Sequence, residues 1–242
     1  MVSNNKVANR IDENNSRITR DLPDKVLHDN EFVNFYVKIP NKFLDINSDI
    51  KLSPEELYLY YFLYSYRYYR RSIRDNKSFT MGSIDVFDQL ISLRRNKRKE
   101  VNKNKIKEII KLLKDKELIN IFNKDGNFFK EINKIKNHTA LIIEFLKVDE
   151  SGGYEPIYYD KFTKFKDSRE FMIFCIIKKI EGTSYKISYR EMASLVDCSK
   201  KTIYRIIKKM EEEYKININR GNFYFDQSGS IRKEKNDYME IL

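Results

Sequence analysis

The chain is poor in the residues that metal and redox chemistry usually require. It has no tryptophan, two cysteines (Cys175 and Cys198) and two histidines (His28 and His138) in 242 residues. So few cysteines exclude a disulfide scaffold, and with two scattered histidines they exclude an ordinary zinc site. Both cysteines read as small apolar core residues. Glycine is scarce, at seven. Neither G-x-x-x-x-G-K-S/T nor G-x-G-x-x-G occurs, which argues against a nucleotide-binding enzyme. No apolar run approaches the roughly 20 residues that span a bilayer, and the opening MVSNNKVANRIDENN carries no apolar leader segment. No membrane contact and a cytoplasmic location are expected. No carboxylate cluster, metal-ligand spacing or Ser/Cys–His pair stands out. The sequence therefore predicts a non-enzymatic protein with neither cofactor nor metal. A tyrosine nucleophile among the 17 tyrosines would need His or Arg partners that two histidines do not supply.

What the chain has in excess is positive charge, +11 from 47 basic and 36 acidic residues. The excess is local. Residues 31–148 carry +9 and residues 149–227 only +2, while both termini are neutral. Arg94 to Lys116 alone carries +8. Uniform compositional drift does not concentrate charge in this way. The distribution points to a polyanionic partner.

Composition also marks boundaries. Residues 1–30 are polar and Asn-rich and read as a flexible arm; 31–148 form a first domain; 149–153 (Asp-Glu-Ser-Gly-Gly) form a linker; 154–227 form a second domain; and 228–242 form a polar tail. Hydrophobic periodicity then gives the same order of elements twice. In the first domain a strand ends at Pro40, and Ser53-Pro54-Glu55-Glu56 starts a helix expected to run through LYLYYFLYSYRYYRRSI. A second helix is expected from Ser83 to Leu93 and a third within Val101–Lys116. A hairpin follows on the Asp125-Gly126 turn, pairing Leu118–Phe122 with Phe128-Phe129, and a strand at Ala140–Val148 closes the domain. In the second domain helices are expected at Ser168–Ile180, Ser188–Val196 and from Ser199 to about Tyr214. A hairpin there pairs Ile216–Asn219 with Phe223–Phe225. Ile157–Phe162 loosely echoes Phe35–Phe43. The fold class expected is α+β, mainly helical, with two tandem winged-helix domains, each a helix-turn-helix plus a β-hairpin wing.

The sharpest local signal is ISYREMASLVDCSKKTIYRIIKKM. A helix-turn-helix needs a small residue where its helices cross, a turn residue that tolerates unusual dihedrals four later, and a β-branched core residue six after that. Ala193, Asp197 and Ile203 fill those places. Ser199 caps the third helix and is expected at the DNA together with Lys200, Lys201, Thr202, Tyr204, Arg205 and Lys208, which are left facing solvent. Those positions reach base edges and phosphates when such a helix enters a major groove, with Arg220 in the wing beside them. In the first domain the equivalent turn is a basic loop, Arg94, Arg95, Lys97, Arg98 and Lys99. It feeds a helix whose Lys103, Lys107, Lys111 and Lys114 share one face. The bland alternatives are solvated lysines on a small core, or a contact for an acidic protein. The tyrosine run Tyr58 to Tyr69 reads as core, with a dimer or inter-domain contact as its other role, in preference to a stacking platform for single strands.

FYVKIPNKFL followed by LSPEELYLYYFL and two helix-turn-helix units resembles the winged-helix replication initiators of plasmids and phages from low-GC Gram-positive bacteria. The resemblance implies recognition of origin repeats in double-stranded DNA by Lys200–Arg205 and Lys103–Lys114. It also implies a homodimer or binding to repeated sites, and contacts with replication proteins. The sequence departs from many of those initiators in placing a second helix-turn-helix at the C-terminal side. A transcriptional repressor of a mobile element is the alternative within the class, and a replisome adaptor that does not read DNA is the alternative outside it.

Overall fold

The structure, a computed structural model, describes residues 36–71, 76–91, 99–129, 131–181, 183–213, 215–221, 223–225, 231–233 and 235–240. For 68–71, 76–77, 99–101, 223–225, 231–233 and 240 the backbone alone is described. The chain is an α+β protein of helices and small antiparallel sheets. Among the described residues no helix is long and apolar enough to cross a membrane. The arm expected at 1–30 lies outside the described residues.

The first half runs β1 (Tyr36–Pro40), a 3-10 turn (Asn41–Leu44), α1 (Pro54–Ser65), β2 (Tyr68–Arg71), β3 (Asn76–Gly82), α2 (Ile84–Leu90), α3 (Lys99–Asp115), β4 (Ile119–Asn123), a 3-10 turn (Ile132–Lys134) and β5 (Leu141–Phe145). Its sheet has the order β2-β3-β5-β4, antiparallel throughout. The second half runs β6 (Tyr154–Tyr158), α4 (Tyr159–Phe162), α5 (Ser168–Ile180), α6 (Tyr189–Val196), α7 (Lys200–Glu212), β7 (Ile216–Asn219), β8 (Phe223–Phe225), β9 (Ile231–Lys233) and β10 (Asp237–Glu240).

Local chemistry sets the helix starts. Ser53 Oγ accepts from the Glu56 N–H, the Glu56 carboxylate accepts from the Ser53 N–H at 2.6 Å, and Pro54 holds the first helical position. Ser188 and Glu191 form the same reciprocal cap on α6, at 3.2 and 2.7 Å. The end of α1 differs from the sequence expectation. The helix stops at Ser65 because Tyr66 N–H turns back to Leu63 and Tyr64 carbonyls, and the Arg67 guanidinium donates to Tyr64 O at 2.8 Å while lying over the Tyr64 ring. Thr80 Oγ1 donates to Leu63 O from the sheet. With the last carbonyls satisfied in this way, Tyr68–Arg71 leaves as strand β2 and pairs with β3. α2 is also shorter than expected, ending at Leu90.

The first expected hairpin is kept in shortened form, with Phe129 N–H donating to Ile121 O and Asn123 N–H to Asn127 O, and the second is re-paired. β4 forms its ladder with β5, and Phe128 makes a single bridge to Phe122 beyond the Asp125-Gly126 turn, where Gly126 has φ +81°. In the second half β7 pairs with β10, and β8 pairs with β9. The span expected as a polar tail thus contributes β9, β10 and the buried Tyr238.

The echo between the halves has a physical counterpart. β1 pairs antiparallel with β6, and α1 packs on α5. α1 is buried nearly all round: Tyr58 and Tyr61 donate their hydroxyls to Phe165 O and Ile157 O in the second half, at 2.9 and 2.8 Å. The tyrosines of α1 are therefore core, and the second half occupies their outer side. Burial pushes the Tyr60 and Tyr61 hydroxyls well above the ordinary phenol range. Cys175 is likewise buried, and Cys198 partly so. The expected linker is a clamped turn, with Lys42–Asp149 at 2.5 Å, Lys38–Glu150 at 3.0 Å, and Asn41 bonded to the carbonyls of Gly152 and Gly153. One continuous buried cluster runs through both halves.

Candidate nucleic-acid interface

α6 and α7 are joined by a tight turn in which Asp197 adopts φ +51°, ψ +59°. This left-handed conformation suits Asp better than most side chains. The Cys198 N–H then donates to Ala193 O at 3.0 Å. Ala193 is buried at the crossing, and a larger side chain there would push the helices apart. Ser199 Oγ accepts from the Thr202 N–H at 3.1 Å and lies 2.9 Å from the Thr202 hydroxyl. Both side chains expected at the interface, Ser199 and Thr202, are thus engaged in capping α7.

Burial of Ile203, Ile207 and Met210 orients the rest of α7. Lys200, Lys201, Tyr204, Arg205 and Lys208 are exposed, Tyr204 by 54%. Charge divides along the helix. The first turns carry Lys200, Lys201 and Arg205 at the surface. Toward the C-terminus glutamates answer the cations: Lys208 faces Glu212 at 3.6 Å, and Arg220 binds Glu211 at 2.6 Å. That bond raises the Arg220 pKa further. Between α7 and β7 lies a cleft of about 400 Å³, lined by Tyr189, Tyr204, Ile207, Ile218 and Arg220. Tyr189 and Tyr204 meet edge to face at 5.9 Å.

A buried carboxylate fixes α7 from behind. Glu170, in the first turn of α5, receives Lys209 of α7 and Lys215 at 3.2 Å. The hydrogen bond to Glu170 raises the Lys209 pKa. The first half repeats the device in part: Glu56, buried in the first turn of α1, receives Lys116 just beyond α3 at 2.9 Å. On the other side of α6, Lys235 binds Glu191 at 2.7 Å and draws that carboxyl down to about 2.

The lysine row on α3 is arranged differently. Lys103 pairs with Asp85 at 2.7 Å, Lys107 donates to Ile135 O at 2.7 Å, and Lys114 donates to Phe129 O at 2.8 Å and lies over the Phe128 ring. Of the four, Lys111 alone is exposed, and the others are half-buried. The two carbonyl acceptors belong to the connection between β4 and β5, whose residues 131–140 fold onto α3 and bury Ile132 and Ile135. Arg94, Arg95, Lys97 and Arg98 lie outside the described residues, and Lys99 opens α3 with its backbone alone described.

The sequence reading passed over Lys124, Lys134 and Lys136, which the connection leaves exposed. A signal was present: Ile132 and Ile135 stand three apart among polar residues, the signature of one amphipathic turn. Among the described residues no three His, Cys, Asp or Glu side chains converge to hold a metal ion. The chain matches no protein-family model, no curated protein and no solved structure.

Proposed function

We propose that the chain is a non-catalytic, sequence-specific binder of double-stranded DNA, built as two winged-helix units, with α7 as its base-reading helix. The observation that carries the reading is the exposure of Lys200, Lys201, Tyr204 and Arg205 on the first turns of a helix entered through the left-handed Asp197 turn. A helix held in this way offers an Arg for guanine and lysines for phosphates. The order of elements supports the winged-helix reading. In the first half α1, β2, β3, α2, α3, β4 and β5 follow one another, with β5 between β3 and β4 in the sheet. In the second half α5, α6, α7 and the β7–β10 pair follow, and Ile187 bridges to Asn236 beside β10. Replication initiation of a plasmid or phage is the role we assign, on the resemblance of FYVKIPNKFL and LSPEELYLYYFL.

Two measurements test this. If six to eight phosphates are neutralised, log K against log salt for duplex DNA slopes at roughly −5 to −7. A flat dependence would falsify DNA binding and leave the adaptor role. Selection of bound fragments from the native replicon then separates the roles. Repeats at an origin support initiation, and a palindrome over a promoter replaces it with repression.

A further inference from the structure

Resting on that reading, we infer that the first unit meets DNA phosphates through residues 131–140 of the connection between β4 and β5, with Lys134 and Lys136 as contacts beside Lys111, while Lys107 and Lys114 of α3 anchor the connection from beneath. The Lys107 and Lys114 ammonium groups of α3 are directed onto the connection. Lys107 and Lys114 stand seven residues apart, two turns along one edge of the helix, and each donates to a backbone carbonyl of the connection, Ile135 O and Phe129 O. Those carbonyls lie in irregular backbone and have no ladder partner among the described residues, so the lysines meet a requirement of the fold itself. The connection is fixed at its far end as well, where the Asp85 N–H at the start of α2 donates to Asn137 O at 3.1 Å. It therefore touches the start of α2 and packs on α3, where it takes up Lys107 and Lys114.

Lys134 and Lys136 are exposed, and Lys111 projects from α3 alongside. Glu131 pairs with Lys134 at 2.7 Å, and both side chains are well over half exposed. Such a surface pair is weak. A phosphate can take the lysine over while Glu131 opposes it, so Glu131 moderates the grip. Because the contacts are single lysines on an exposed turn, the surface serves backbone positioning without reading sequence.

The experiment measures duplex affinity against salt for the full chain and for two variants. Lys134→Ala/Lys136→Ala is expected to lower affinity about tenfold on cognate and random duplexes alike and to flatten the salt slope by about two. Glu131→Gln is expected to tighten binding about twofold on both, a gain that misfolding cannot imitate. Wild-type binding with an unchanged slope in the double variant overturns this surface and leaves DNA binding by α7 standing. No salt-dependent binding by the wild type overturns both. A double variant that loses affinity for the selected site alone shows these lysines reading sequence and overturns the positioning role.

Discussion

α3 and α7 are both lysine-rich third helices, and they use that charge in opposite ways. On α3, Lys103, Lys105, Lys107 and Lys114 reach Asp85, Glu55, Ile135 O and Phe129 O, all within the first half. On α7, Lys209 turns inward to Glu170, and Lys200, Lys201 and Arg205 stay at the surface. The difference comes from what lies on each helix. Irregular backbone on α3 presents carbonyls that need donors. The side of α7 toward β7 meets the antiparallel β7–β10 pair, whose facing backbone groups bond each other. Among the described residues, α3 therefore leaves a smaller share of its basic side chains at the surface than α7 does.

The largest expected effects lie in the buried carboxylates behind the two helices. Glu170→Ala leaves Lys215, only 10% exposed, with Glu213 as its remaining partner. Removing one member of such a buried set costs about 3 kcal/mol. Glu56→Ala is expected to cost less, about 2 kcal/mol by the same reasoning, because Lys116 is 24% exposed and keeps its bond to Lys51 O at 2.6 Å. Urea denaturation of the two variants measures both. Equal costs would mean that the helices are anchored alike. Next in size is base reading: Arg205→Ala is expected to lose about 1–3 kcal/mol on a selected site and little on random DNA. Lys111→Ala is expected to lose under about 1 kcal/mol on every duplex, since a lysine holds phosphate without reading sequence. Competition binding decides, and matched losses on both DNAs from Arg205→Ala would break the division of labour.

The left-handed residues give a finer contrast. Glu117, just past α3, has φ +55°, and Asp197, between α6 and α7, has φ +51°. Glycine removes the Cβ strain at either place, and Asp tolerates the conformation better than Glu. Glu117→Gly is expected to stabilise by about 1 kcal/mol and Asp197→Gly by about half that. Thermal midpoints of the two variants give the order, and a reversed order would mean that Asp197 carries the greater strain.

How much of this was legible in the sequence depends on the range of the cause. Caps are local, so Ser53, Ser188 and Ser199 marked their helices correctly. Asp197 stood where a left-handed residue was needed, and its conformation agrees. Strand pairing is set by distant partners, and there the reading failed: nothing near Ile216–Asn219 announces that Asp237–Glu240 is its neighbour and not Phe223–Phe225. The aromatic run past Ser65 suits a helix or a strand, and the sheet decides through β3. The same limit applies to the site. Helical periodicity placed the α7 side chains on the correct face, because a solvated face follows from its buried stripe. It could not show that Lys107 and Lys114 would be taken by carbonyls more than ten residues away along the chain.

The smallest effect separates the helices that precede α3 and α7. α6 is capped by Ser188 with Glu191 at the third position, whereas α2 is capped by Ser83 with Val86 there. Only the former cap can titrate. The hydrogen bond from Lys235 holds Glu191 at about 2, against about 4.3 for an unfolded glutamate. A carboxyl lowered by folding stabilises the fold fully above its unfolded value, and that contribution is lost as pH falls from about 5 to about 2. Both partners are more than a third exposed, so solvent screening keeps the contribution below about 1 kcal/mol. Lys235→Ala is expected to return the Glu191 carboxyl toward the ordinary range, read by NMR titration. It should also weaken amide protection in the first turn of α6 between pH 3 and 5 while leaving that of α2 unchanged. Equal loss of protection in both helices would mean that the acid response belongs to the whole fold.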